Sequence, residues 1–126
     1  MNNAISQPKR GETTWLWLLK IVTGVLVVLI LGVHLVVNHL VSPEGLLTFP
    51  EIVVYLSNPW VALMEGTFLV LAVSHALLGV RSVFLDLHPS EGVIRVMDVV
   101  FSVVGVAAIV YGIWLLRAIQ AHGVSG

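Results

Sequence analysis

The chain has 126 residues, of which 58% are hydrophobic and 10% charged, with a formal net charge of −1 and a mean hydropathy of +1.02. That profile lies far outside the range of a soluble domain, and it leaves no length for a catalytic domain beside the apolar stretches. No cysteine is present, which excludes disulfides and thiolate metal sites.

Residues 1–14 are polar, include Pro8, Lys9, Arg10 and Gly11, and read as a cytoplasmic tail closed by Thr13 or Thr14 as a helix N-cap. Trp15 and Trp17 suit a membrane-interface anchor. A hydrocarbon core of about 30 Å takes about 20 apolar residues per helix. Residues 15–41, 60–85 and 96–116 supply three such stretches, so the expected fold is all-α, an integral membrane three-transmembrane-helix subunit with one anchor domain over 15–126. The polar start and the length of the first apolar stretch exclude a cleavable signal peptide. Ser42-Pro43-Glu44-Gly45 stops the first helix, and residues 49–56 form either a short interfacial helix or an irregular loop. Asn58-Pro59-Trp60 starts the second helix, which ends near Asp86 ahead of His88-Pro89. In the third, Ser102, Gly105, Ala108 and Gly112 recur at spacings of three and four, a face suited to close helix packing.

Charge placement predicts the orientation. The first loop carries Glu44 and Glu51 but no Lys or Arg, whereas Arg81 and Arg95 flank the second loop and Lys9, Arg10 and Lys20 mark the N-terminal side. By the positive-inside rule the N-terminus is cytoplasmic and the C-terminus outside, with Arg117 as the dissenting charge.

Polar side chains inside apolar spans are costly and commonly functional. At about 100° per residue, His75 shares a face with Met64, Phe68, Ala72, Gly79, Ser82 and Asp86, and Arg81 flanks that stripe. An axial imidazole, a residue without a side chain one turn on, and polar groups at the end where propionates emerge suit a haem. The competing reading is a structural histidine bonded to a neighbouring helix. On the first helix, His34 lies on one face with Thr23, Val27, Ile30 and Asn38. His39 points away and sits near the outer end, as an interfacial group or propionate partner. Counted from the cytoplasmic helix ends, His34 and His75 differ in depth by roughly 12 Å, so as ligands they would serve two different haems. Glu65, near the outer end of the second helix, suits proton exchange with an outer quinone or contact with headgroups. Lys20 can snorkel to the interface, and His88 and His122 fall in or near polar segments and need no special role.

The run His75-Ala76-Leu77-Leu78-Gly79-Val80-Arg81, followed by Asp86, resembles the H-x-x-x-G-x-R-x-x-x-x-D signature of cytochrome b anchor subunits of succinate dehydrogenase, the succinate:quinone oxidoreductase of respiratory complex II. The size and three-helix plan fit that family over most of the chain. The resemblance implies that His75 binds haem b and that Arg81, with Ser82 and Asp86, borders the propionate or quinone environment. It also implies packing with a second membrane anchor subunit into a helical bundle, and attachment of a flavoprotein subunit and an iron-sulfur subunit. Electrons would pass to membrane quinone in a bacterial or archaeal cytoplasmic membrane, and whole complexes could associate further. Two departures matter. Leu87 stands where many single-haem members carry a quinone-binding tyrosine after the aspartate, and His34 resembles the first-helix ligand of two-haem members, often associated with menaquinone. The expected cofactors are therefore two haem b groups shared with the partner anchor, and quinone. A fumarate reductase anchor, another membrane cytochrome b, and a haem-free structural anchor are the alternatives.

Overall fold

The computed structural model describes residues 11–125, so Lys9, Arg10 and most of the expected tail lie outside the described residues. Four helices follow in order, α1 (Thr14–Val41), α2 (Phe49–Ser57), α3 (Pro59–Leu85) and α4 (Glu91–Val124), and no strand occurs among the described residues. Three helical segments, Thr14–Val41, Pro59–Leu85 and Glu91–Gly123, are long and apolar enough to cross a membrane.

Side-chain caps explain most of the boundaries. Thr13, rather than Thr14, caps α1, its Oγ1 accepting the Leu16 N–H at 3.3 Å. Residues 49–57 are helical and not irregular, because Glu51 reaches back one turn to the Thr48 N–H and hydroxyl, both at 2.6 Å. Those two bonds hold the Glu51 carboxyl below its ordinary pKa. Asn58 opens α3 by accepting the Trp60 N–H at 3.0 Å, with Pro59 where a missing N–H costs nothing.

The last helix is longer than its apolar stretch at both ends. Ser90 accepts the Val93 N–H at 3.4 Å, which starts α4 at Glu91 instead of Val96. Beyond Leu116 the polar end stays helical because it packs on α2, where the Gln120 amide donates to the Leu56 carbonyl at 3.0 Å. Hydropathy marks the part of a helix that lies in hydrocarbon, and these two ends owe their helicity to other contacts.

Helix α3 is the hub and packs on α1, α2 and α4. Its seam with α4 uses the expected small-residue face: a Cβ at Gly105 would stand 2.7 Å from Leu77 Cδ1, and one at Gly112 would collide with Leu69 Cδ2. Its seam with α1 is antiparallel and polar in three places, Lys20 with Ser82, Thr23 with His75 and His34 with Glu65. Among the described residues the buried hydrophobic side chains are Tyr55, Leu56, Ala62, Leu85 and Met97, while Val28, Leu35 and Val103 are each more than half exposed. Such an outward-facing surface suits lipid or another apolar helix, since helix association in a bilayer relies on close packing and hydrogen bonds.

Replacing Gly112 with Val should destabilise the folded chain by about 1–3 kcal/mol through overpacking against Leu69. Gly66→Ala, at a position where an added Cβ meets nothing within 4 Å, should have almost no effect. Unfolding in mixed detergent micelles would compare the two.

Candidate functional site

His75 sits where α3 crosses α1, and its surroundings fix its tautomer. Its Nδ1 lies 3.2 Å from the Lys20 carbonyl oxygen and 3.3 Å from Thr23 Oγ1. A carbonyl can only accept. Thr23 lies 2.8 Å from the Leu19 carbonyl and 3.1 Å from that of Lys20, so its one hydroxyl hydrogen is directed at those backbone oxygens. Both neighbours therefore accept and Nδ1 carries the hydrogen, so Nε2 is the ring nitrogen that holds the lone pair in the corresponding tautomer. The ring reaches this position because α1 has no side chain opposite it: a Cβ at Gly24 would stand 2.9 Å from His75 Cε1. One turn along α3, Gly79 faces open space, with nothing within 4 Å of an added Cβ.

His34 is held in a similar way by a different set of groups. Its Nδ1 lies 2.8 Å from Glu65 Oε1, and the same oxygen accepts the Tyr55 hydroxyl at 2.8 Å. Asn38 donates to the His34 carbonyl at 2.8 Å and to the Tyr55 oxygen at 3.2 Å, which uses both amide hydrogens. Its closeness to the two ring nitrogens, 3.3 and 3.4 Å, is then packing and not hydrogen bonding. Phe68 stacks on the imidazole, with ring centroids 5.3 Å apart and planes at 24°. The cluster lines an open groove of about 680 Å³ among α1, α2, α3 and α4, with Gly112 and Leu116 on its α4 side. Burial, and then the bond to Glu65, push the Tyr55 pKa up to about 12, so the phenol remains a donor.

The two imidazoles lie at different levels. Thr23 pairs with His75 and His34 with Glu65, so the sites are separated by ten residues along α3, about 15 Å. Glu65 turns inward to His34 and Tyr55 rather than out to headgroup level.

The remaining expected site residues form a separate network at the end where α1 begins. Arg81 is buried at 7% exposure and points toward α4, its Nε 2.6 Å from Asp98 Oδ1 and its Nη2 3.2 Å from Asp98 Oδ2. Nη2 also donates to the Gly11 carbonyl at 3.1 Å. Gly11 adopts φ +86°, a left-handed turn that a glycine takes without strain. Lys20 bonds to Glu12 at 2.7 Å and to the Ser82 hydroxyl at 3.0 Å. Asp86 caps α3 through its backbone, and His88 follows with φ +51°. His39 is exposed, and His122 bonds to the Ala118 carbonyl of its own helix at 2.8 Å.

The structure thus brings His75 and His34 to the α1–α3 seam, leaves Gly79 open, and gathers Arg81, Ser82 and Asp86 near one helix end. Sequence reasoning missed Asp98, Glu12, Gly24 and Tyr55. Asp98 carried a signal, a carboxyl inside an apolar stretch one turn before Ser102, to which it lends its carbonyl at 2.7 Å. Glu12, Gly24 and Tyr55 acquire their roles only from helix pairing. Among the described residues no three His, Asp or Glu side chains gather as a metal cluster.

This arrangement defines a three-span helical membrane protein with two oriented imidazoles at separate levels. The family model described as succinate dehydrogenase/fumarate reductase transmembrane subunit matches residues 1–112, and the chain belongs to that family. A succinate dehydrogenase hydrophobic membrane anchor subunit of Archaeoglobus fulgidus is 25% identical over 103 residues, 82% of this chain and 87% of the relative. One of the same description from Thermoplasma acidophilum is 30% identical over 91 residues, 72% of this chain and 74% of the relative. No solved structure matches the chain significantly. It is a multi-pass membrane anchor of the succinate dehydrogenase/fumarate reductase family.

The raised Tyr55 pKa gives a pH window. The group is protonated in both folded and unfolded chains below about pH 10 and ionises first in the unfolded chain above it. Its contribution to stability is complete below pH 10 and is lost as the pH rises toward about 12. Thermal unfolding in detergent across that range should show a steeper loss for the wild type than for Tyr55→Phe.

Proposed function

We propose that the chain is a haem b-holding anchor of a succinate:quinone oxidoreductase, in which His75 and His34 would each hold a separate haem. A second anchor subunit completes both sites, and a flavoprotein subunit and an iron-sulfur subunit attach on the side of the α1 N-terminus, taken as cytoplasmic. The observation that carries this reading is the His75 tautomer: Nδ1–H is committed to Lys20 O and Thr23 Oγ1, which leaves Nε2 as the donor nitrogen.

The residues present fit such a group. The second nitrogen of a ligating histidine commonly donates to a carbonyl or carboxyl, and both imidazoles here have that partner inside the chain. A Cβ at Gly79 would meet nothing within 4 Å, so no side chain of this chain covers the helix surface one turn along from His75, where a flat macrocycle would lie. Haem b, when bound, supplies a one-electron carrier between the iron-sulfur subunit and membrane quinone, for which menaquinone is the expected kind.

The remaining steps belong to the protein. The Lys20 carbonyl and Thr23 hold the His75 ring plane, and Gly24 lets α1 approach closely enough to do so. Phe68 covers one face of His34 while Glu65 fixes its Nδ1. Arg81 and Asp98 lock α3 to α4 beside the Lys20–Ser82 contact, and that polar end of the bundle is where a propionate or a quinone headgroup would be bordered. As the anchor of a fumarate reductase the chain would use the same residues, with electrons travelling the other way.

The intact complex purified in detergent should contain two haems per flavin, with a cytochrome b signal in the reduced-minus-oxidised spectrum. His75→Ala should lose one of them. Gly24→Leu, which pushes a side chain into the His75 ring, should lose the same one. A wild-type complex with no Soret band would return the chain to a haem-free structural anchor.

A further inference from the structure

The cluster around His34 has more members than ligand orientation requires. His75 is oriented by a backbone carbonyl and a hydroxyl, whereas His34 faces a carboxyl oxygen that is itself shared. Glu65 Oε1 accepts from His34 Nδ1 at 2.8 Å and from the Tyr55 hydroxyl at 2.8 Å. Tyr55 belongs to α2, outside the membrane-crossing helices, and its oxygen accepts from Asn38. The bonds run from the Asn38 amide to the Tyr55 hydroxyl to Glu65, with His34 meeting the same oxygen from the other side.

We propose that Glu65 and Tyr55 act as an opposed pair of positioning residues that set the reduction potential at His34 and leave that at His75 unchanged. This rests on the reading of His34 as an axial ligand given above. A strong acceptor at Nδ1 makes an imidazole a better donor through Nε2, which favours ferric over ferrous iron and lowers the potential. Glu65 supplies that acceptor. Tyr55 competes for the same oxygen, withdrawing electron density that would otherwise strengthen the His34 bond and so moderating the effect. Burial helps keep the phenol protonated as a donor. Among the described residues His75 has a backbone carbonyl and a hydroxyl as partners and no carboxyl, so the pair would act on the His34 site alone.

The opposed roles give opposite signs in the intact complex. Potentiometric titration of Glu65→Gln, which keeps an acceptor oxygen but a weaker one, should show an upward shift in one haem. A tenfold change in its reduction equilibrium corresponds to about 59 mV for one electron. Tyr55→Phe should shift the same haem downward. The other haem should stay at its wild-type potential in both variants. If Glu65→Gln loses the haem, Tyr55→Phe decides alone: a downward shift supports the pair, and an unchanged potential overturns it. Retention of both haems with neither potential moved in either variant also overturns it. Haem content in His34→Ala separates this from failure of the underlying reading. Loss of one haem there with no shift in the other variants refutes the tuning pair only, and full haem content there refutes His34 as a ligand and the pair with it.

Discussion

The structure depends on the antiparallel contact of α1 with α3, where two histidines from different helices each give their Nδ1 hydrogen to groups of the same chain. A bilayer interior offers no water to satisfy such groups, so each must find its partner in protein. The Lys20 carbonyl and Thr23 do this for His75, and Glu65 does it for His34. The two contacts fix the register of the helices at two levels, and they also decide which nitrogen of each ring remains available. Packing and chemistry are therefore set by the same bonds, and a slip of one helix turn along this seam would separate both pairs at once.

The other seam works by shape. Gly105 and Gly112 present backbone to Leu77 and Leu69, which lets α4 approach α3 without polar contacts over that stretch. At the end where α1 begins, the bidentate Arg81–Asp98 pair closes the same seam, and the Gly11 carbonyl joins it from the segment before α1. One seam is specified by hydrogen bonds and the other by close contact and a terminal ion pair. That division leaves the outward faces, rich in exposed Val and Leu, without further obligations to the fold.

Much of this was legible in the sequence, for identifiable reasons. Three apolar stretches were visible because the bilayer fixes their length, and the small-residue face of α4 was visible because its spacing repeats. His75 and His34 stood out because imidazoles are rare among such residues. What escaped were partners defined by pairing across helices. Arg81 read as a group flanking the His75 stripe, yet it turns to Asp98, which a wheel drawn for α3 alone does not contain. Glu65 read as a group near the surface, yet it faces His34, since its direction depends on the crossing with α1 and on Tyr55 reaching in from α2. The ends of α4 escaped for a related reason, as Ser90 and Gln120 extend it by capping and packing.

The length of α4 has a mechanical consequence. Its 34 residues span about 51 Å, well beyond a hydrocarbon core of about 30 Å, so it projects past the span or tilts within it. Near its far end Gln120 holds the Leu56 carbonyl of α2, while Tyr55, the residue before, reaches down to Glu65. The short helix is thus suspended between a strut and a polar cluster. A displacement of α2 at the membrane surface would therefore stretch both the Gln120–Leu56 and the Tyr55–Glu65 bonds, which ties the position of the short helix to the polar cluster below it.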